Sequence, residues 1–240
     1  VWAIIPARSG SKSVRDKNIM QLNGHPMIAY SIKAALRCKN IDRVIVTTDS
    51  KEYANIAIKY GAEVPFLRPA KISDDHSTDI EFFQHAIKWF RGSENFVPEY
   101  FAHLRPSTPV RSHKIIELAI NKFINSEFSA LRSVHKMSDT SYKTFEIEDG
   151  KLKTICDGDF DIESTSLPRQ SLPETFKPNG YIDIVRTSII DSGLLHGTNV
   201  NAFITETTYE IDEINDFNFL EFMINKHSEI DGNLMNDTNE

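Results

Sequence analysis

Five apolar residues, Val1 to Ile5, run into Pro6 and straight on into a basic loop rich in serine and glycine. An apolar run of that length fits a strand covered on both faces, as in a parallel sheet flanked by helices. Pro6 ends the ladder because proline has no N–H to donate. The loop beyond it carries four cations within ten positions, Arg8, Lys12, Arg15 and Lys17, interleaved with Ser9, Gly10, Ser11 and Ser13. Small residues let backbone N–H groups approach an anion closely, and clustered cations neutralise a polyphosphate. A loop at the carboxyl end of a first parallel strand is where open α/β sheets bind ligands. The opening therefore predicts an α/β chain whose first loop takes a nucleoside triphosphate.

Neither common nucleotide fingerprint is present. No G-x-x-x-x-G-K-[ST] occurs, which excludes a P-loop ATPase, and no G-x-G-x-x-G follows the strand, which excludes the dinucleotide type.

Downstream, strand-like runs alternate with segments of helical period, the pattern of βαβ units. A first helix is expected over residues 27–36, with Ile28, Ile32, Ala35 and Leu36 on one face. A second strand is expected over 43–48, a helix over 51–60 that Asp49 and Ser50 can cap and that stops at Gly61, and a third short strand over 62–67. A polar loop (68–78), a helix (79–90), a strand (100–104) and a Ser112-capped helix to about 125 follow. From residue 129 the texture turns to β segments at 129–135, 143–147 and 151–155, with Glu148-Asp149-Gly150 as a hairpin signal. Residues 157–178 read mainly as loop, and Pro178-Asn179-Gly180 as a tight turn. A strand (181–185), a short helix (187–192), a strand (200–205) and a last helix (216–226) complete the domain. The polar tail, 228–240, is expected to be disordered.

The 240 residues suffice for one α/β domain with a sizeable core. A net charge of −7 argues against a nucleic-acid binder, whose affinity comes from neutralising phosphates. No apolar run approaches the ~18 residues of a membrane span. The first strand is too short for a signal peptide, and Cys38 and Cys156 stand too far apart in sequence for a metal-type pair. A reducing, cytoplasmic setting is the expectation.

Three further segments carry chemistry. In LRPSTPVR (104–111), Pro106 and Pro109 stiffen a turn that presents Arg105, Ser107 and Thr108, or that simply leads into the next helix. In YEIDEINDF (209–217), Glu210 and Asp212 share one face of an extended segment. Paired carboxylates there suit Mg²⁺ with phosphate, or are solvated edge acids. Asp74, Asp75 and His76 lack a further ligand pattern and read as a solvated loop capping the next helix.

VWAIIPARSGSKSVRDKN resembles the opening motif of the sugar-activating cytidylyltransferases, roughly IIPARGGSKxxxxKN, and most of all the N-acylneuraminate (sialic acid type) group. The resemblance implies CTP contacts from Arg8, Ser11, Lys12, Lys17 and Asn18, with Arg15 standing where many members have proline. LRPAKISDDHSTD (67–79) adds Arg68 and Thr78 on the nucleotide side. LRPSTPVR resembles the family's LQPTSPLR beneath sugar and nucleotide, implying sugar contacts from Arg105, Ser107 and Thr108. Arg105 replaces the glutamine of sialic-acid enzymes, which leaves room for a related nine-carbon sugar such as a legionaminic acid.

PRQSLPETFKPNGYIDI (168–184) resembles PRQ…xFRPNGAIYI. It implies sugar contacts from Arg169, Gln170 and Lys177, with Asn179 holding either backbone or a sugar hydroxyl. A guanidinium such as that of Arg169 suits the C1 carboxylate of a 2-keto acid sugar. Lys143, in SYKT, matches a lysine near that carboxylate. YEIDEINDF resembles IDID…xDF, whose aspartates bind Mg²⁺. Glu210 stands for the first and Asp212 for the second, and Asp216 is expected to cap the last helix.

The family implies a mostly parallel, Rossmann-like nucleotide-binding sheet with a small inserted dimerisation lobe. Here that is one domain over 1–227, with the lobe at about 130–180. The implied activity is transfer of CMP from CTP to the anomeric hydroxyl of an acidic nine-carbon sugar. Pyrophosphate leaves, Mg²⁺ is the cofactor, and the enzyme is a homodimer. A KDO cytidylyltransferase and a catalytically silent nucleotide-sugar binding module are the alternatives.

Overall fold

Side chains of β1 (Trp2–Pro6) alternate between two cores and so fix the central sheet. Trp2 and Ile4 pack with Phe82, Phe83 and Phe90 on one face, while Ala3 and Ile5 pack with Ile28, Ile32 and Ile120 on the other. The computed structural model describes residues 1–11, 14–156 and 160–226. Lys12 and the tail, 228–240, lie outside the described residues.

After β1 come the short strands β2 (Gln21–Leu22) and β3 (His25–Pro26), then α1 (Met27–Leu36), β4 (Arg43–Thr47) and α2 (Lys51–Lys59). Next are α3 (Asp79–Ser93), β5 (Tyr100–His103), α4 (His113–Ile124) and β6 (Ala130–Lys136). The hairpin β7 (Phe145–Glu148) and β8 (Lys151–Thr154) precedes β9 (Phe176–Arg186), α5 (Thr187–Asp191), β10 (Val200–Ile204) and α6 (Ile214–Lys226).

The main sheet runs β10-β6-β9-β5-β1-β4. β1 pairs in parallel with β4 and β5, and β6 with β10, whereas β9 is antiparallel to both of its neighbours. The mostly parallel α/β sheet expected from the sequence is thus present with one reversed strand. Antiparallel neighbours need no crossover helix, and the chain leaves β6 and returns as β9 by an excursion over residues 137–175. Residues 130–136 and 176–180 of the expected lobe belong to the main sheet, and the β7–β8 hairpin lies in the excursion. Its turn has Asp149 and Gly150 at φ 51° and 79°, the left-handed pair a two-residue hairpin demands.

Several boundaries differ from the sequence reading. The expected strand at 62–67 reduces to two isolated bridges, Ile45 with Glu63 and Thr48 with Leu67, because Pro65 between them offers no N–H. A single 3-10 turn, Ser141–Lys143, replaces the start of the strand expected from residue 143. Ser112 stands at the start of α4 but makes no capping bond, and its N–H donates to Tyr181 Oη at 2.5 Å.

Pro178-Asn179-Gly180 is not a turn; it is a bulge inside β9. Arg132 faces Asp183 and Val134 faces Pro178, so residues 179–182 lie opposite Ser133 alone. The periodic pattern of β9 is broken there, and the sequence alone reads the break as a turn.

α6 begins two residues early, at Ile214. Asp216 lies inside its first turn and reaches back, Oδ2 accepting the N–H groups of Asp212 (2.9 Å) and Glu213 (2.8 Å). A third core, in which Phe217, Leu220 and Ile224 of α6 meet Leu22, Met27 and Tyr30, seats the acidic segment beside the first loop.

Candidate active site

The strand order changes direction at β1, which has β4 on one side and β5 on the other. Open α/β sheets place their crevice at the carboxyl ends of strands flanking such a point. A cleft of about 430 Å³ lies there, and Arg8, Ser11, Lys17, Asn18, Arg68, Thr78, Arg105 and Ser107 line it with Asp75, Asp79 and Phe82. Eight residues singled out from three separate motifs thus meet in one cavity.

Carboxylates and amides shape the first loop. Asp49 accepts the Ser9 N–H at 2.8 Å and the Ser9 hydroxyl at 2.6 Å, and Asn18 Nδ2 donates to the Arg8 carbonyl at 3.1 Å. Asp16 adopts φ 54°, and its Oδ1 accepts from Tyr53 Oη at 2.8 Å. Burial first, and then Asp16, push the Tyr53 phenol up, so it remains a donor. Asn18, 9% exposed, supports the loop from behind.

The cations of the cleft are held by protein partners. Arg8 NH2 donates to Asp75 Oδ1 at 2.6 Å. Lys17 Nζ donates to the Ile211 carbonyl at 2.8 Å and stands 3.6 Å from Asp212 Oδ1. Arg68 is buried over the Phe82 ring, its guanidinium donating to Thr47 O at 2.6 Å and Thr47 Oγ1 at 3.2 Å. Burial lowers its pKa to about 10. Thr78 begins α3 with its N–H and hydroxyl both directed to Glu81 Oε2, at 2.6 and 3.0 Å.

Arg105 is gripped from two sides, NH1 donating to Asp183 Oδ2 at 2.9 Å and NH2 to Asp79 Oδ2 at 2.7 Å. Beneath it Arg111, also buried, bonds Ser31 Oγ (2.6 Å), the Arg105 carbonyl (2.8 Å) and the Gly180 carbonyl (3.0 Å). Sequence reasoning missed Arg111, Asp183 and Asp79, and read Asp49 only as a helix cap. Asp183 had a signal, a lone carboxylate inside the apolar run GYIDIV.

A second hollow, of about 300 Å³, gathers Lys177, Asn179, Glu210 and Asp212 with Asp216. The bulge joins the two, because a Cβ on Gly180 would lie 2.8 Å from Thr108 Oγ1, 3.6 Å from Glu210 Oε1 and 3.7 Å from Arg105 Cδ. Asn179 is 2% exposed and bonds internally, through Nδ2 to Thr205 Oγ1 (2.7 Å) and through Oδ1 from the Tyr181 N–H (3.2 Å). Both of its side-chain polar atoms are thus engaged with the protein, one of them with backbone. Thr108 is buried, its hydroxyl on the Asn179 carbonyl at 3.3 Å.

Among the described residues no three His, Cys, Asp or Glu are grouped for a metal. Glu210 and Asp212 nonetheless suit Mg²⁺, which is commonly held by one or two carboxylates completed by substrate phosphates. Asp216 commits Oδ2 to backbone N–H groups.

Arg169 and Gln170 line a separate hollow of about 360 Å³, Arg169 donating to the Met137 carbonyl at 2.9 Å. Lys143 is exposed on its 3-10 turn. Within one chain these three do not join the cleft.

Comparison with known proteins gives a consistent picture. Residues 2–163 match the family model described as cytidylyltransferase. The post-translational flagellin modification protein B of Campylobacter coli is 33% identical over 230 residues, covering 93% of this chain and 94% of that protein. The CMP-N,N'-diacetyllegionaminic acid synthase of Campylobacter jejuni shows the same identity and coverage. The N-acylneuraminate cytidylyltransferase of Escherichia coli O18:K1:H7 is 34% identical over 90% of this chain but only 50% of its own length. Among solved structures, a CMP:2-keto-3-deoxy-manno-octonic acid synthetase complexed with CTP superposes with TM-score 0.71 over 94% of this chain and 98% of its own. At 15% identity that likeness speaks for the fold alone.

Proposed function

The chain belongs to the cytidylyltransferase family, and from that premise we propose that it transfers CMP from CTP to the anomeric hydroxyl of an acidic nine-carbon 2-keto sugar. The observation that carries this reading is the meeting of Arg8, Lys17 and Arg68 at the carboxyl ends of β1 and β4, with Asp212 beside Lys17. Relatives of 33–37% identity bear the names of legionaminic, sialic and pseudaminic acid enzymes, which supports a nine-carbon sugar over the eight-carbon KDO.

The sugar's 2-hydroxyl oxygen attacks the α-phosphorus of CTP in line, the bond to the bridging oxygen of pyrophosphate breaks, and the hydroxyl proton passes to solvent. Such a transfer asks the protein for positioning and for charge neutralisation. Arg8 and Lys17, with Lys12, hold the triphosphate and the departing pyrophosphate. The Ser9–Asp49 and Asn18–Arg8 bonds keep the loop in shape for it. Arg68 and Thr78 border the nucleoside side, and Arg105 and Ser107 border the sugar. Lys177 meets the sugar carboxylate, together with Arg169, Gln170 and Lys143. Glu210 and Asp212 would hold Mg²⁺, which when bound would supply Lewis-acid polarisation of the phosphate.

Because Arg169, Gln170 and Lys143 stand apart from the cleft of their own chain, we assign them to the site of a second copy, in a homodimer built on the 137–175 excursion. Its hairpin exposes Ile147 (77%) and Leu152 (52%), apolar surface suited to such an interface. Cys38 and Cys156 are free, in keeping with a reducing cytoplasm. Among the described residues no helix is long and apolar enough to cross a membrane.

The test is pyrophosphate release from CTP and Mg²⁺ with N-acetylneuraminate, N,N'-diacetyllegionaminate, pseudaminate or KDO, and Asp212→Ala as control. Release with one nine-carbon acid, lost in the control, supports the reading. CTP binding without release from any of the four refutes it.

A further inference from the structure

Arg105 lines the cleft, as Asp79 does, and two carboxylates grip its guanidinium. Asp79 Oδ2 lies 2.7 Å from NH2 and Asp183 Oδ2 lies 2.9 Å from NH1. Asp183, 1% exposed, comes from the buried stretch of β9. Its Oδ1 stands 3.6 Å from Arg132 Nε and its Oδ2 3.7 Å from His196 Nε2. Burial on its own would raise the Asp183 carboxyl; His196 and Arg105 outweigh it and hold the group ionised, far below the usual range.

Two carboxylates, Asp79 and Asp183, pair with Arg105, against one each with Arg8 (Asp75) and Lys17 (Asp212). Its guanidinium charge is thus the most fully compensated of the three. Yet a guanidinium has five N–H donors, and the two carboxylate bonds use two of them. The remaining donors sit on a side chain that borders the cavity, in an orientation fixed by two rigid partners. A neutral oxygen needs a positioned donor and no net charge.

We propose that Arg105, clamped by Asp79 and Asp183, reads an uncharged hydrogen-bond acceptor on the sugar, a hydroxyl or the carbonyl of an acylamido group, and that Asp183 is the positioning residue that sets this selectivity. The inference rests on the sugar-nucleotide reading above and assigns that sugar's neutral substituents, not its carboxylate, to this part of the cleft. A flexible arginine would bond whichever anion came near. A clamped one discriminates by geometry, and a site built to hydrogen-bond a substituent strongly rejects the analogue that lacks it.

The experiment takes the sugar that supports turnover and analogues in which each hydroxyl or acylamido carbonyl beyond C1 and C2 is removed in turn. Wild type, Arg105→Met and Asp183→Asn are each measured for kcat, for KM of sugar, and for CTP binding by calorimetry. Both substitutions are expected to raise the sugar KM roughly 10- to 100-fold while the CTP Kd stays within about threefold. One analogue should cost wild type the same factor and cost Arg105→Met, which has no donor, nothing further, which a merely structural role would not produce. Arg105→Lys, which keeps the charge but loses the fork, should restore little. Asp183→Asn failing to fold leaves the Arg105→Met cycle to decide. Additive losses with every analogue, at intact CTP binding, overturn the proposal. Failure of wild type to turn over any sugar overturns it together with the functional reading, and is recognised because no variant is needed to see it.

Discussion

Lys17 donates from Nζ to the carbonyl of Ile211 at 2.8 Å, joining the first loop to the acidic segment across 194 residues of sequence. The same ammonium stands 3.6 Å from Asp212 Oδ1, so the cation read as a phosphate ligand and the carboxylate read as a metal ligand share one corner. Removal of Asp212 should therefore separate chemistry from nucleotide binding. Asp212→Ala is expected to lower kcat for pyrophosphate release about 10²- to 10³-fold, the usual loss for one electrostatic contributor. CTP binding measured without Mg²⁺ should weaken less than tenfold. Lys17→Met should impair both. A kcat for Asp212→Ala within threefold of wild type would remove Asp212 from the reaction.

Arg8 is paired with Asp75 across the mouth of the cleft, at 2.6 Å and with both side chains partly exposed. A triphosphate taking Arg8 must displace that carboxylate. Pairs of this exposure contribute about 0.2–1 kcal/mol. Asp75→Asn is thus expected to lower the KM for CTP up to about fivefold, most clearly at low ionic strength. A KM that rises instead would make Asp75 a contributor to binding and not a competitor.

Legibility from sequence tracked locality. The first strand, its basic loop and the β7–β8 turn were readable because period, proline and an Asp-Gly pair act within a few residues. So were the eight cleft residues, once their motifs were recognised in order. What stayed hidden depends on register. The bulge in β9 looks like a turn in sequence, and only its pairing with β6 shows that Asn179 is turned inward to Thr205. Asp183 is one charge in an apolar strand, and nothing local tells that Arg105, 78 positions away, is its partner. The strand expected at 62–67 failed for a local reason, since Pro65 was visible and was outweighed by the apolar residues around it.

Gly180 tests the bulge itself. It sits at φ 63°, and a Cβ there would lie 2.8 Å from Thr108 Oγ1. Strain in the left-handed region costs on the order of 1–3 kcal/mol. For a chain of this size that corresponds to a fall in Tm of roughly 2–4 °C per kcal/mol. Gly180→Ala should therefore melt several degrees lower, and should also raise the sugar KM, because Arg105 and Glu210 lie against the same spot. Unchanged Tm and KM together would show that the bulge yields freely.

His103 makes the pH dependence of stability predictable. It is 1% exposed on β5, neither ring nitrogen has a hydrogen-bond partner among the described residues, and the Phe82 and Phe83 rings pack against it. Burial, then Arg105 and His196, outweigh Asp79 (3.9 Å from Nδ1) and Asp183, and its pKa falls to about 3. The unfolded chain takes up this proton near pH 6.5, whereas the folded one does not until far lower. Protons therefore favour unfolding, and the contribution is intact above about pH 6.5 and is lost at about 1.4 kcal/mol per pH unit as pH falls below it. Asp79 and Asp183 have lowered pKa values, so their stabilisation is lost only below about pH 4. His85 is depressed as well, by burial and then Arg68, and adds a slope of the same sign in both proteins compared. Urea unfolding at pH 7 and pH 5 should show wild type losing about 2 kcal/mol more than His103→Gln over that interval. Parallel losses in the two would mean that His103 is protonated in the folded chain, and that the buried cluster around Arg105 carries one more positive charge than its ion pairs account for.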